Sequence, residues 1–366
     1  MDQYPIAASS LEKYYHINGK QFERQYKEHL SGYTDWEEKD HADKWLIFPE
    51  NIGPRMSIDE TSMSNGEVYT ILSNKDAHCR DGAIAAIVYG TKVDDVYNAL
   101  KLIPEEIRLR VEEVTLDLSS SMRLICSLSF PQAVKVIDRF HVQKLALEAL
   151  QDIRIRHRWD AIDADNESRM MAKATGKDYI PDTYHNGDTR KQLLARSRHL
   201  LFKSPEKWSK SQKTRAAILF EEYPDIKEAY SLVHRLRMIY AHTKTKGGAL
   251  PKLALWYNDV QKTNFKEFKT VAETIQTHYS NILNFFNNRS TNASAESLNS
   301  KIKAFRMQLR GVSDVNTFCS DLQRSMLRHI LLRLIRNMPY GRYGCKIQTS
   351  CTKRQSTSIV RNAVPL

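Results

Sequence analysis

The sequence predicts an α/β fold, in which a mixed β-sheet is packed between helices. Short segments of β character follow one another over residues 56–90, strands and helices alternate up to about residue 142, and β character is absent from about 143 to 310. Antiparallel strands that continue into βαβ units form a mixed sheet with helices on both faces. The chain has 366 residues, enough for two or three packed units.

The N-terminal segment, residues 1–50, predicts a short helical hairpin. Apolar residues recur at helical spacing on both sides of Asn18-Gly19, a pair that breaks helices. Two interpretations stay open at this point. The hairpin is either a small helix–turn–helix whose second helix meets DNA, or a plain hairpin that packs on the next domain.

The sheet and its helices are predicted over residues 51–150. Turn residues at Ser64-Asn65-Gly66 separate the first two strands, and Pro104 ends the first helix. The predicted strands are 56–63, 67–74, 83–90, 111–120 and 133–142, with helices at 93–104, up to Phe130-Pro131, and from about Gln143. This β-β-β-α-β-α-β-α order is that of the ribonuclease H-like fold.

The second half of the chain predicts a large all-helical insertion over residues 151–285. It is charged and helical in rhythm, and it is interrupted by prolines and by Gly247-Gly248. A final helix, within residues 286–317, then returns to the sheet. Residues 318–366 form an atypical basic tail, because nine Lys or Arg and no acid follow Asp321.

Two aspartates stand where a ribonuclease H-like sheet brings strands together. Asp59 lies in the first predicted strand and Asp117 at the end of the fourth. Two close carboxylates repel each other, and a divalent cation relieves that repulsion. Two Mg²⁺ (or Mn²⁺) ions held in this way activate water or a 3′-hydroxyl for in-line phosphoryl transfer. An isolated aspartate in a strand is more often a structural acid, so the prediction depends on the combination of these acids with the fold order and the basic charge.

The site needs a third carboxylate from another element, and Glu296, near the start of the final helix, is a candidate. Asn292 or Ser294 can cap this helix, which places Glu296 in its first turn or two. Asp59, Asp117 and Glu296 are therefore the candidate catalytic residues and metal ligands.

A secondary site is predicted at Asp138-Arg139-Phe140-His141, at the end of the fifth predicted strand. Asp138 is a candidate fourth acid, and His141 a candidate contact to phosphate or to a flipped DNA end. The alternative is an ion pair that only fixes the strand end. Glu60 ranks below Asp59, because strand alternation points it to the opposite sheet face.

The charge distribution favours a polyanionic partner. The formal net charge is +12, and residues 189–215 carry nine Lys or Arg against one acid, Glu206. The final helix is basic beyond Glu296 as well. The residues that we predict to contact DNA are Arg196, Arg198, Lys203, Asn299, Lys301, Lys303 and Arg306.

Membrane and secreted classes are disfavoured. The longest apolar runs are shorter than the roughly 20 residues that a membrane helix needs, and the N-terminus lacks a secretory signal. Five scattered cysteines form no CxxC pair. This usage is typical of a reducing cytoplasm rather than of a disulfide framework or a zinc ribbon.

Several segments resemble bacterial insertion-sequence transposases of the ISL-three type, particularly the form found in Bacteroidetes. The resemblance runs from about residue 10 to about 317, and its main segments are MSIDETSMSNGEVYTIL, VEEVTLDLSSSM, FPQAVKVIDRFHVQKL, LLARSRHLLFKSPEKWS and NRSTNASAESLNSKIKAFR. It implies a DDE transposase in which Asp59, Asp117 and Glu296 are the three acids. Asp138 and His141 match the group's pattern too. The implied partners are the double-stranded DNA of element ends and target, with a homodimer on DNA at the bacterial nucleoid.

Two departures from that group leave alternatives open. No zinc module or longer helix–turn–helix is visible, so end recognition uses either a separate helix–turn–helix protein or the hairpin and the insertion. The tail lacks the apolar ending of the group, and we hypothesise a reading-frame change near Phe318. The alternative functions are a metal-dependent nuclease of the same fold and a degenerate, non-catalytic DNA-binding relative.

Overall fold

The computed structural model describes residues 8–62, 66–308, 319, 320 and 322. A six-stranded mixed sheet has the strand order β1–β4–β3–β2–β5–β6. The α/β class predicted from the sequence is therefore confirmed. The strands are β1 (Trp45–Ile47), β2 (Arg55–Ser62), β3 (Val68–Asn74), β4 (Ile84–Tyr89), β5 (Glu113–Leu116) and β6 (Val134–Ile137).

The predicted antiparallel meander is β2–β3–β4, and β5 and β6 add to β2 in parallel. The side-by-side placement that we predict for the first and fourth strands is confirmed by the pairing of β2 with β5. One strand is absent from the prediction. The three-residue β1 pairs with β4 at the sheet edge, although it lies within the segment assigned to the N-terminal hairpin.

The hairpin itself consists of α1 (Ala8–Tyr15) and α2 (Gly19–Gln25), followed by a π-helical turn at Tyr26–Leu30. The break between α1 and α2 ends at Asn18-Gly19, the pair that the sequence predicts to interrupt the helix. The Asn18 side chain caps α2 by accepting a hydrogen bond of 3.0 Å from the backbone N–H of Gln21.

Helices cover both faces of the sheet. On one face Ile58, Leu72 and Ala86 pack beneath α3 (Val93–Leu100) and α5 (Ser120–Ser129). A short helix, α4 (Glu105–Arg108), lies between these two helices in the chain.

On the opposite face, Ile71 and Ile87 pack against Leu298 and Ile302 of α14 (Ala293–Gln308). Because Asp59 pairs in register with Ile71, its side chain lies on this α14 face.

The longest element, α6 (Arg139–Ala174), corrects one boundary. The fifth predicted strand, 133–142, ends at Ile137 as β6, and the helix begins at Arg139 rather than at Gln143. Asp138 occupies the N-cap position with an extended backbone, so the chain turns from strand to helix there. The domain boundary predicted at 150/151 falls inside α6, where no break in secondary structure marks it.

The rest of the described chain before α14 is helical, and its core contains the fully buried rings of Trp256, Tyr240, Phe268 and Phe285. Pro224 occupies the first turn of its helix, where the missing N–H costs nothing. The helices are α7 (Arg190–Arg196), α8 (Arg198–Leu201), α9 (Lys210–Glu222), α10 (Pro224–His242), α11 (Lys246–Lys262), α12 (Lys266–Thr277) and α13 (Tyr279–Asn288).

Candidate metal centre

Three aspartates lie just beyond the parallel-paired part of three adjacent strands. Asp59 lies within β2, two residues past its last pair with β5, and Asp117 and Asp138 directly follow β5 and β6. Ser57 of β2 pairs in register with Thr115 of β5, and Leu116 of β5 pairs with Ile137 of β6. Continuing these registers along the strands places Asp59, Asp117 and Asp138 at the same level. Because paired residues of parallel strands share a sheet face, the three carboxylates project to the same side.

Glu296, in the first turn of α14, reaches the same end of the sheet. The segment before α14 is fixed to the sheet, because Ser57 Oγ donates a hydrogen bond of 2.6 Å to Asn292 Oδ1. One turn further along α14, Asn299 Nδ2 donates to Asp59 Oδ2 at 2.8 Å. These two contacts join β2 to the start of α14 on either side of Glu296.

The tightest group of metal-binding atoms comprises Asp138, His141 and Glu296. Each offers one ligand atom, and these atoms all lie within 4.8 Å of one another. Two carboxylates and an imidazole are ordinary ligands of divalent metals.

Asp138 is 2% exposed, and its Oδ1 has no hydrogen-bond partner among the described residues. A buried carboxylate oxygen without a donor is costly, and a cation would satisfy it. The residues therefore fit a bound divalent metal.

Electrostatics favour a cation at the same place. Burial raises the pKa of Asp59, and the charges of Asp117 and Asp138 raise it further. Burial also raises the pKa of Glu296, with Asp138 and Asp59 adding to the shift. His141 opposes both shifts. Several carboxylates that disfavour one another's charge are the arrangement that a divalent ion relieves.

The three predicted acids come together, but they are not the closest set of ligands. Asp59, Asp117 and Glu296 come to one end of the sheet, but the closest ligand set contains the secondary residues Asp138 and His141 instead of the two other aspartates. Asp117 Oδ1 accepts a 2.8 Å hydrogen bond from the backbone N–H of Ser119.

The sequence pattern places His141 at the end of a strand, whereas it lies in the first turn of α6. The i, i+3 spacing of Asp138 and His141 on a new helix is the signal that sequence reasoning missed. Glu60, which we rank below Asp59, is exposed and lies within electrostatic range of Asp117 and Asp59.

A buried ion pair that the sequence did not reveal anchors the segment leading into α14. Lys75 Nζ donates to Glu113 Oε1 at 3.3 Å, to Thr115 Oγ1 at 2.7 Å and to Ser290 Oγ at 2.8 Å. Asn288 Nδ2 donates to Glu113 Oε2 at 3.2 Å. The side chains of Lys75 and Glu113 are only 12% and 6% exposed. This cluster, which we call the Lys75 anchor, ties β5 and the end of β3 to the chain just before Glu296.

Four of the seven predicted DNA contacts lie on the surface, namely Arg198, Lys203, Lys301 and Lys303. Arg196 is also exposed, but it forms an ion pair with the buried Asp188, which Arg215 Nε contacts as well at 2.7 Å. Its guanidinium thus already has a structural partner.

Two predicted DNA contacts are corrected, because Asn299 and Arg306 are buried. Asn299 donates to Asp59, so it positions a carboxylate of the centre. Arg306 lies within electrostatic range of Tyr69 on the sheet side of α14. It follows Leu298 and Ile302 at a spacing of four residues, so it shares their buried helix face.

Comparison with known proteins identifies a family. Residues 56–322 match the family model DDE_Tnp_ISL3, described as a transposase. That span contains all five residues of the centre: Asp59, Asp117, Asp138, His141 and Glu296. None of the curated proteins matches the chain. Within the described residues, no helix is both long and apolar enough to span a membrane. The chain therefore belongs to the ISL3-type family of DDE transposases.

Proposed function

We propose that the protein cleaves DNA strands at the ends of an insertion sequence and joins them to target DNA, using carboxylate-bound metal ions. The observation that carries this proposal is the convergence of three aspartates from adjacent strands, His141 and Glu296 at one end of the sheet. The order of strands and helices supports a ribonuclease H-like core. In this assignment residues 51–150 and 286–317 form the core, and residues 151–285 form the helical insertion.

Asp59, Asp117 and Glu296 are the proposed catalytic carboxylates, and Asp138 and His141 complete the ligand set. Two Mg²⁺ or Mn²⁺ ions, when bound, supply the Lewis acidity that activates water or a 3′-hydroxyl. Asn299 holds the Asp59 carboxylate through its 2.8 Å hydrogen bond. Oδ1 of the buried Asp138 has no hydrogen-bond partner among the described residues, and a carboxylate oxygen of Asp138 belongs to the close ligand set. The chain's own contribution is thus a fixed array of negative oxygens.

Double-stranded DNA is the proposed substrate, as element ends and as target. In this assignment Lys301 and Lys303, which are exposed on α14 one to two turns beyond Glu296, contact phosphates next to the cut bond, and the exposed Arg198 and Lys203 contact DNA further away. Two ends must be processed together, so we infer a homodimer on DNA at the bacterial nucleoid. We assign the chain to the form found in Bacteroidetes on the segments quoted above. The tail and its hypothesised frame change lie almost wholly outside the described residues.

The decisive experiment incubates the protein with DNA that carries the sequences flanking its gene, adds Mg²⁺, and maps nicks and joined products. Asp117→Asn should bind the DNA as tightly as the parent and cut none of it. Asp163→Asn, an exposed acid on α6, is the matched control and should cut normally. Cleavage without joining would indicate the nuclease alternative, and cleavage by Asp117→Asn would remove the catalytic assignment.

A second readout does not depend on activity. Mn²⁺ should raise the thermal unfolding temperature of the parent, because a ligand that binds only the folded state stabilises it. Asp138→Asn should reduce that rise, whereas Asp163→Asn should leave it unchanged. An equal rise in all three proteins would place the metal elsewhere.

A further inference from the structure

An open groove with a volume of about 1040 Å³ runs between α6 and the α7–α8 segment. One wall is a single face of α6, from Phe140 to Trp159, and the other includes Arg198, His199 and Phe202. None of the five residues of the metal centre lines this groove.

Three aromatic rings in the groove remain largely open to solvent. Phe140, Phe202 and Trp159 are 54%, 41% and 58% exposed. By contrast, Trp208, from the same basic stretch as Phe202, packs against other rings and donates through Nε1 to Leu200 O at 2.8 Å. Exposed rings that share one groove offer flat apolar faces, and unpaired nucleic-acid bases stack on such faces.

The groove also carries positive charge that the protein does not neutralise. Burial, and then the charges of Arg158 and Arg198, lower the pKa of Arg154 to about 10. Arg154 donates hydrogen bonds to Gln151 Oε1 at 2.7 Å and to Leu194 O at 2.8 Å. Within the part of the chain that the structure describes, neither Arg158 nor Arg198 forms an ion pair or a side-chain hydrogen bond.

The remaining charges do not cancel this excess. Four basic side chains line the groove against two acids, Glu148 and Asp152. Glu148 is already within 3.9 Å of Lys144. In the groove wall, Gln151 is buried and its Nε2 has no partner among the described residues. An anion with further hydrogen-bond acceptors, such as a nucleotide, complements this lining.

One end of the groove begins at the metal centre. Phe140 directly precedes His141 on α6, and the two rings meet edge to face with centroids 5.9 Å apart. Trp159 lies on the same helix about 28 Å further on, at about 1.5 Å per residue. That length equals roughly eight nucleotides at the axial rise of stacked duplex DNA, about 3.4 Å each, and fewer in an extended unpaired strand. A strand held at the centre can therefore continue along the groove.

We propose that this groove binds unpaired nucleotides of the DNA strand that leaves the metal centre. Bases stack on Phe140, Trp159 and Phe202, and phosphates lie beside Arg158 and Arg198. A duplex has its base faces stacked internally, so the exposed rings select an unpaired strand. The inference rests on the proposed function for the identity of the strand, whereas the binding itself requires no cleavage.

The test measures binding without metal, in a chelating buffer, by fluorescence anisotropy of a labelled 12-nucleotide strand and of the corresponding blunt duplex. Trp159→Ala and Phe202→Ala should each weaken single-strand binding by about 5- to 160-fold, at about 1–3 kcal/mol per stacked base. Duplex binding should change less than about twofold. Trp159→Phe should retain most of the affinity. Met170→Ala, an exposed apolar residue on α6 outside the groove, is the control and should change neither.

The charge half of the proposal has its own measurement. Arg158→Ala and Arg198→Ala should each make single-strand binding less salt-dependent, by about 0.7 in the logarithmic slope for each phosphate that the variant no longer neutralises. Thermal unfolding of each variant should match that of the parent, which confirms folding. Parental single-strand affinity in the tryptophan and phenylalanine variants would overturn the proposal. An equal loss of affinity for duplex and single strand would overturn it too.

Failure of this inference is distinguishable from failure of the proposed function. Specific nicking of flanking DNA, together with unchanged single-strand binding in the groove variants, would overturn only the proposal that the groove binds an unpaired strand. Groove-dependent binding in a protein that cuts no DNA removes only the catalytic proposal.

Discussion

Removing the counter-charge of a buried lysine tests how the Lys75 anchor holds the chain that carries Glu296. Glu113→Gln keeps the size of the side chain and an oxygen acceptor, but it leaves the Lys75 ammonium without its carboxylate. Burial already lowers the pKa of Lys75, and the charge of Glu113 opposes that shift. The substitution therefore strengthens the drive to neutralise or to expose the lysine.

The expected cost is about 3 kcal/mol of unfolding free energy. Breaking one side of a buried ion pair costs about 3–5 kcal/mol. The lower end applies because Lys75 Nζ keeps the hydroxyl oxygens of Thr115 at 2.7 Å and Ser290 at 2.8 Å. Lys75→Met should cost a similar amount, since Glu113 then loses its cation. The double variant should cost about 2 kcal/mol less than the sum of the singles, because neither charge is left alone.

Urea unfolding followed by far-UV circular dichroism at pH 7 measures all four free energies. Asp259→Asn is the matched control, because Asp259 pairs with Arg235 at the surface with side chains 27% and 51% exposed. That change should cost less than about 1 kcal/mol. A Glu113→Gln cost below about 1 kcal/mol, or strict additivity in the double variant, would refute the reasoning.

Two further predictions concern the helical region. Burial raises the pKa of Asp188, but hydrogen bonds and charges from its two arginine partners outweigh that effect and leave the pKa below its ordinary value. Asp188→Asn should therefore cost about 2–3 kcal/mol near pH 6. Urea titrations should show this difference undiminished above about pH 4 and shrinking as the pH falls through the folded-state pKa; a difference that grows in acid would contradict the assignment. Trp256→Ala should cost about 3–5 kcal/mol in the same titration, because the fully buried ring leaves a cavity, and a cost below about 1 kcal/mol would show that the site collapses around it.

The sheet could be predicted because its signals are local. The alternation around Ile58 and Asp59 and the turns between strands define the meander, and the βαβ order then places the first strand beside the fourth. The edge strand β1 escapes prediction, because three residues, Trp45–Ile47, carry too little pattern. Its position is set by pairing with β4, which no local signal shows.

The parts of the centre that escaped prediction depend on contacts between distant segments. The Lys75 anchor joins residues that lie 215 positions apart in the chain, at Ser290. Nothing near Lys75 in the sequence indicates its partner. Arg306 is a different case, because its four-residue spacing from Leu298 and Ile302 is visible in the sequence. That apolar stripe predicts the burial of Arg306 better than the basic character of α14 predicts a DNA contact.

The long-range contacts of α14 have a consequence for the order in which the molecule is made. Asp59 and Asn299 are 240 positions apart, and Ser57 and Asn292 are 235 apart. Contacts of such separation form late, because a long loop must close before they stabilise anything. A chain emerging from the ribosome therefore carries its three aspartates well before Glu296 can join them. The carboxylate set thus stays incomplete until the helical region between α6 and α14 has been synthesised and has folded.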